Sequence, residues 1–139
     1  DDPRVGDRAR TVVLPVDYCG PDLASAAQAL GLTEAEVVRA HIEQRWRVAF
    51  LGFAPGFGYL EPVGASTAAW QRVPRRPSPR ARVPAGSVAV AAGHSAVYPK
   101  DMPGGWVLIG ITDAPLFDPG RSGDPTLLHP GDDVRFEAT

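Results

Sequence analysis

The hydrophobic pattern of this chain changes rhythm twice. Residues 11–16, Thr-Val-Val-Leu-Pro-Val, are dense in β-branched side chains and predict a strand. The rhythm then turns helical. Leu23, Ala26, Ala27 and Leu30 recur at i, i+3, i+4 and i+7, which places them on one face of a short helix from about Asp22 to Leu30. Asp22 stands where a capping side chain is wanted, and Gly31 where a left-handed residue is wanted. A second helix is signalled by Thr33-Glu34-Ala35-Glu36, a capping box in which each of Thr33 and Glu36 can bond the other's amide. Leu32 and Val37 occupy the positions of a hydrophobic staple. Val37, Val38, His41 and Ile42 form the apolar stripe, and the helix should end near Gln44.

From Trp46 onwards the helical period is lost. Residues 46–53 form a nearly continuous apolar run of strand length, and 86–92, 97–99, 106–111 and 133–137 are further strand candidates. Glycine and proline interrupt them at short intervals, as in a barrel or sandwich. The segment from Arg72 to Pro84 carries Pro74, Pro77, Pro79 and Pro84, which exclude a helix and a central strand, so an extended surface loop is expected. No repeat or linker divides the chain. The pattern predicts a mainly β, mostly antiparallel barrel with two short helices near the N-terminus, one domain over 1–139 in which 1–10 is a flexible or linker segment.

Composition narrows the function classes. The chain has 139 residues, 44% of them hydrophobic, enough for a core without staples. A formal net charge of −2 argues against a nucleic-acid or anionic-membrane binder. Cys19 is the only cysteine, so an intrachain disulfide and a multi-cysteine zinc site are excluded, and the chain suits a reducing cytoplasm. No run of about 18 apolar residues predicts a membrane span, and Asp1-Asp2-Pro3-Arg4 is polar and lacks the apolar run expected of a signal peptide. The three histidines, His41, His94 and His129, lie far apart without metal-ligand spacing, so no metal site is expected. No phosphate loop or dinucleotide fingerprint occurs.

Three segments carry candidate chemistry. Gly52-Phe53-Ala54-Pro55-Gly56-Phe57-Gly58-Tyr59-Leu60 puts three aromatics on a Gly/Pro turn, where they could contact a partner or fold into the core. Arg72, Arg75, Arg76, Arg80 and Arg82 are spaced by prolines; guanidinium forks suit carboxylates and phosphates, and equally suit a solvated loop. Gly93-His94-Ser95, Tyr98 and Lys100 read as polar groups on a Gly-rich connection between strands, followed by Pro103-Gly104-Gly105-Trp106. His94 beside Ser95 hints at a nucleophile pair, although sequence neighbours seldom act together. His41, on an apolar helix face, reads as a core histidine.

The order of these segments resembles a known family. It runs through Pro15-Val16 and Gly20-Pro21-Asp22-Leu23, then Gly31-Leu32-Thr33, then Gly52-Phe53, Pro55-Gly56-Phe57 and Tyr59-Leu60. It continues through Pro74-Arg75, Pro79-Arg80, Val83-Pro84-Ala85-Gly86-Ser87-Val88, Tyr98-Pro99, Pro103-Gly104-Gly105-Trp106 and Leu116-Phe117-Asp118. From about Val12 to Phe136 the chain is similar to the KipI family, which includes allophanate hydrolase subunit 1 and the B-subunit of 5-oxoprolinase. His94-Ser95 stands where members often have Gln-Thr, Met102 where a small hydroxyl residue is common, and Cys19 where Asp or Gly is usual.

The resemblance implies a cyclophilin-like closed β-barrel, and a C-terminal domain without the family's usual N-terminal one. It implies a non-autonomous subunit, inactive alone, that works with a KipA-type subunit and a LamB/YcsF-type subunit to open 5-oxoproline to glutamate at the expense of ATP. The ATP would bind at the complex rather than through a motif of this chain. An anionic substrate and ATP call for cationic and hydrogen-bonding groups. On that footing Arg80, Tyr98, Lys100 and His94 are the catalytic candidates. Arg75, Ser95 and Gly93 are candidates for binding the substrate anion, and Phe53, Phe57, Tyr59 and Trp106 for the partner interface. Two other classes stay open: a KipI-like inhibitor of a histidine kinase, and half of a biotin-dependent urea carboxylase or allophanate-pathway carboxyltransferase.

Overall fold

The computed structural model describes residues 10–64 and 68–139. The flexible segment expected at 1–10 lies outside the described residues except for Arg10, and that residue is tied down. Its guanidinium donates to the Leu127 carbonyl at 2.8 Å and to Asp132 Oδ2 at 2.6 Å, and its own carbonyl accepts from the Asp133 amide.

Strand β1 (Thr11–Val16) leads to helices α1 (Leu23–Leu30) and α2 (Glu34–Glu43). Strands β2 (Arg45–Leu51) and β3 (Gly58–Val63) follow, then a 3-10 turn (Ala68–Arg72) and β4 (Arg80–Val83). The chain continues as β5 (Ser87–Ala91), β6 (His94–Val97), β7 (Met102–Gly104), β8 (Val107–Ile111) and β9 (Asp133–Ala138). The helices form for the expected local reasons. Both bonds of the capping box are made, at 3.1 Å to Thr33 Oγ1 and 2.9 Å to Glu36 Oε1. Gly31, at φ 70°, ends α1. Asp22 makes no side-chain capping bond to α1, because its carboxylate is committed elsewhere.

Seven strands line up as β1-β9-β2-β3-β6-β5-β8, antiparallel except for the parallel pair β1–β9. The ends of this row meet. Asp17 and Ile111 exchange both backbone hydrogen bonds at 2.9 Å. The amides of Gly20 and Asp22 then donate to Ile109 and Leu108. The row closes into the expected barrel, with α1 and α2 packed on it.

Alternate residues of β5, β6 and β8 face opposite ways. Val88, Val90, Val97, Val107 and Ile109 join the larger core, with Trp46, Leu60 and the buried faces of both helices. Ala89, Ala91, Ala96, Tyr98 and Leu108 turn to a second core with Phe57, Val83 and Trp106. The small sheet β4–β7 contributes Val83 and Met102 to that second core. Strand β5 is buried along its whole length, which explains why 86–92 reads as a continuous apolar run instead of an alternating one.

Three sequence expectations change here. Residues 72–84 are not wholly loop: 80–83, the proline-free stretch between Pro79 and Pro84, form β4 on β7, outside the barrel, where missing amides cost little. Strand β6 begins at His94 rather than at 97. Ala92 and Gly93, at φ 48° and 91°, turn the β5–β6 hairpin, so His94 and Ser95 lie in a strand and not in a connection. The aromatic turn is also shorter than read, since 58–63 form β3.

His41 is the polar centre of the larger core and is 0% exposed. Ser95 Oγ donates to the Ala89 carbonyl at 2.8 Å, so its oxygen is left to accept from His41 Nε2–H at 2.9 Å. His41 Nδ1 then accepts from the Tyr18 hydroxyl at 2.7 Å. The ring packs on Phe136 at 4.3 Å and on Trp46 at 5.4 Å between centroids. This chain of bonds ties the β1–α1 connector, α2, β6 and β5 together. In this arrangement Nδ1 acts as an acceptor, the role of a neutral imidazole.

Burial pushes His41 down to about 3 from an ordinary value of 6.5. Below pH 6.5 the unfolded chain therefore binds a proton that the fold refuses. The stabilisation is full above pH 6.5 and is lost as pH falls towards 3, at about 1.4 kcal/mol per pH unit. Urea midpoints should fall steadily from pH 6.5 to 5, above the range where carboxylates titrate. In His41→Gln that slope should flatten; an unchanged slope would assign the acid limb to other groups.

Candidate functional site

The site is built from the turn between β2 and β3. The Gly52 amide donates to the Phe57 carbonyl at 3.1 Å, and the Phe57 amide to the Ala54 carbonyl at 3.0 Å. Gly56 holds φ 83°, and a Cβ there would stand 2.8 Å from Phe117 Cβ and 3.0 Å from the Leu116 carbonyl oxygen. Glycine is required both by the dihedral and by the 116–117 segment packed against it. Phe53 adopts φ 73° without being glycine, a conformation that costs about 1–2 kcal/mol.

One irregularity in β2 decides what this turn displays. Val48 pairs with Leu60 and Phe50 with Tyr59, so Ala49 is an extra residue on β2, a β-bulge. Without it Phe50 would follow Trp46 and Val48 into the larger core. With it Phe50 emerges on the other face and stacks on Tyr59 at 4.4 Å between centroids. Nothing in the apolar run 46–53 signals this flip, and sequence reasoning did not single out Phe50.

The aromatics form one continuous cluster. Phe57 contacts Phe53 at 5.6 Å, Tyr59 at 5.1 Å and Tyr98 at 5.2 Å. Tyr59 reaches Trp106 at 5.8 Å and meets His94 edge-on at 6.4 Å. The Arg75 guanidinium lies over the Trp106 ring, 5.8 Å from its centroid, a cation–π contact worth about 0.5–1 kcal/mol at an exposed site. The structure thus brings Arg75, His94, Tyr98, Trp106, Tyr59, Phe57 and Phe53 together.

Several of these residues cannot act as the sequence suggested. Phe57 is 1% exposed and is the hub of the second core, so it cannot reach a partner directly. Trp106 is also buried, with Arg75 over it. Ser95 is buried, donates its proton to Ala89 and accepts from His41, so it is neither an activated nucleophile nor a substrate-binding group. Gly93 is a turn glycine whose open side is covered by the Gln71 amide. Lys100 is exposed beyond β6 and makes no hydrogen bond or ion pair among the described residues.

Arg80 is engaged. Its two terminal nitrogens donate to the two Asp22 oxygens at 2.7 and 2.8 Å, and Asp22 Oδ2 also accepts the Leu108 amide at 2.9 Å. Burial alone would raise the Asp22 carboxyl; the Arg80 and Leu108 hydrogen bonds outweigh it and hold Asp22 below its ordinary value. The same pair raises Arg80. The Tyr98 phenol is pushed up by burial, against the opposing pull of the Trp106 backbone and of Arg75, so it stays protonated and can only donate or accept a hydrogen bond near neutrality. Among the described residues the serine that meets a histidine, Ser95 at His41, spends its proton on the Ala89 carbonyl inside the core, and no group of three or more His, Cys, Asp or Glu is placed to hold a metal. The arrangement is suited to holding an anionic or apolar group against Arg75 and the aromatics.

Arg80→Ala would strand the Asp22 carboxylate at the barrel seam. Loss of the pair should cost about 2 kcal/mol or more of stability, read as a lower denaturation midpoint. The Arg80→Ala/Asp22→Ala double variant should recover part of that loss. Strict additivity of the two single changes would show that the pair carries no coupling.

The surroundings of this cluster match known proteins. A family described as "Carboxyltransferase domain, subdomain C and D" matches residues 2–128. The B-subunit of 5-oxoprolinase from Escherichia coli O157:H7 is 48% identical over 131 residues, 92% of this chain and 58% of that protein. The protein of the same name from Bacillus subtilis (strain 168) is 45% identical over 130 residues, 91% of this chain and 52% of that one. The chain thus spans little more than half the length of these curated relatives. Among solved structures, the conserved uncharacterized protein PH0987 from Pyrococcus horikoshii superposes with a TM-score of 0.82 at 38% identity, over 94% of this chain and 59% of that one. Urea amidolyase from K. lactis shares the fold alone, with a TM-score of 0.70 at 16% identity over 94% of this chain and 10% of that one. No helix of the described residues is long and apolar enough to cross a membrane. With nearly its whole length matched, and the resemblance to KipI-type proteins and 5-oxoprolinase B-subunits borne out, the chain belongs to the carboxyltransferase-domain family, subdomain C and D.

Proposed function

We propose that this chain serves a cytoplasmic, ATP-dependent assembly that opens 5-oxoproline to glutamate, beside a KipA-type and a LamB/YcsF-type subunit. The observation that carries this reading is the 48% identity to a 5-oxoprolinase B-subunit across 92% of the chain. The geometry agrees with a subordinate part in the chemistry. Ser95 is consumed inside the core, Arg80 is paired, and Tyr98 is buried and protonated, so none of these three is poised as a nucleophile or base.

Phe117 and Leu116 fill the space beside Gly56, and Tyr98 fills that beside Gly104, so neither of these two turns offers a cradle of free amides for phosphates. On this reading the nucleotide is held by another subunit. The contribution of this domain is the cationic aromatic face around Arg75 and His94, which completes a site made jointly with its partners.

Carboxyl transfer is the second reading, favoured by the description of the matching family. It would require a biotinylated carrier. Glutamate release from 5-oxoproline should need ATP and all three chains, should be insensitive to avidin, and should be undetectable with this chain alone. Turnover by this chain alone, or full turnover without it, would overturn the proposal; avidin-sensitive transfer of carboxylate to an amide would favour the second reading.

A further inference from the structure

We infer that the open aromatic face formed by Phe50, Phe53, Tyr59 and the Arg75 guanidinium docks a protein partner that presents a carboxylate ringed by apolar side chains. Phe50 is 50% and Phe53 72% exposed. They adjoin Tyr59 and Phe57, so the aromatics form one patch and not scattered surface residues. The patch is stiff. Gly56 is pinned by Leu116 and Phe117, and Phe53 is held in a left-handed conformation with its ring turned to solvent. A strained, exposed aromatic on a braced turn loses little freedom on binding.

Charge names the occupant. Arg45, Arg47, Arg80 and Arg82 each have a carboxylate of their own, in Asp133, Glu61, Asp22 and Asp101. Arg75 has none among the described residues and rests on Trp106. Beside it, Arg76 Nη1 is buried without a hydrogen-bond acceptor, with Asp22 near enough to feel its charge. Among the described residues, the face therefore carries at Arg75 a positive charge that no carboxylate pairs. Phe50 and Phe53 project outward, whereas a small ligand is taken up in a concave site that buries most of its surface. Aromatic anchors with an arginine on an open face are the composition of protein interface cores. A second copy of the chain fits poorly, because a two-fold contact through this patch brings two uncompensated guanidinium groups into one interface.

The inference rests on the lactam-opening reading only for the protein that carries the carboxylate, the KipA-type subunit. Titration calorimetry of wild type, Phe53→Ser and Arg75→Glu against that subunit tests both. Each variant changes an exposed side chain, so melting temperatures should stay at the wild-type value. Each should bind at least tenfold more weakly, about 1.4 kcal/mol, and the affinity of Arg75→Ala should depend less on salt than that of wild type. Wild-type binding that both variants retain overturns the inference and leaves the functional reading standing. No binding by wild type overturns both. A concentration-dependent dimer abolished by Phe53→Ser, with subunit affinity unchanged, overturns it in favour of self-association. Binding of 5-oxoproline by the chain alone, lost in Arg75→Glu with subunit affinity unchanged, overturns it in favour of a small-ligand site.

Discussion

The Asp22 carboxylate holds together parts of the chain that have no other reason to meet. It accepts the two arms of Arg80 and the amide of Leu108, while its own amide donates back to the Leu108 carbonyl. This places the start of α1, the proline-rich arginine segment and β8 at one point. That point lies beside the seam where β1 meets β8 through Asp17 and Ile111. Among the described residues no further strand bridges the seam, so closure depends on a few backbone bonds and on this ion pair. The segment that carries Arg75 over Trp106 leaves the same anchor, and the position of the exposed guanidinium thus follows from how the barrel is shut.

Helix positions were legible because their signals are local. Thr33, Glu36 and Gly31 act within one turn of themselves, and the structure uses each as read. Asp22 was not legible for the opposite reason: its position invites a cap, but a partner 58 residues away claims its oxygens. The barrel itself was legible from strand-length apolar runs and frequent Gly and Pro. The boundaries of β6 and the existence of β4 were not. An Ala92-Gly93 turn lacks the asparagine that marks such hairpins, and flanking prolines conceal a short strand that pairs only with β7.

Much of the site was named from sequence, and it came together: Arg75, His94, Tyr98 and Trp106 surround Tyr59 and Phe57. Which of them face outward was not legible. Phe57 and Tyr59 lie two apart, yet Phe57 became a core residue while Phe50 came to the surface beside Tyr59 through a single extra residue at Ala49. Register is a long-range property, fixed by which strand lies opposite, and composition does not report it. Ser95 shows the same limit. Its neighbour in sequence is His94, but its working partner is His41, across the core.

The parallel pairing of β1 with β9 joins Thr11–Val16 to Asp133–Ala138, the first and last strands of the described chain. During synthesis, β1 and β2 leave the ribosome long before the strand that lies between them. Until residue 138 has emerged, each exposes an unpaired edge, and the closing contact spans more than a hundred positions. High contact order makes such assembly slow, and the nascent chain must keep two apolar edges from other chains in the interval. The burden of closing this domain thus falls on the six residues of β9, which also flank β2, the strand that carries Phe50.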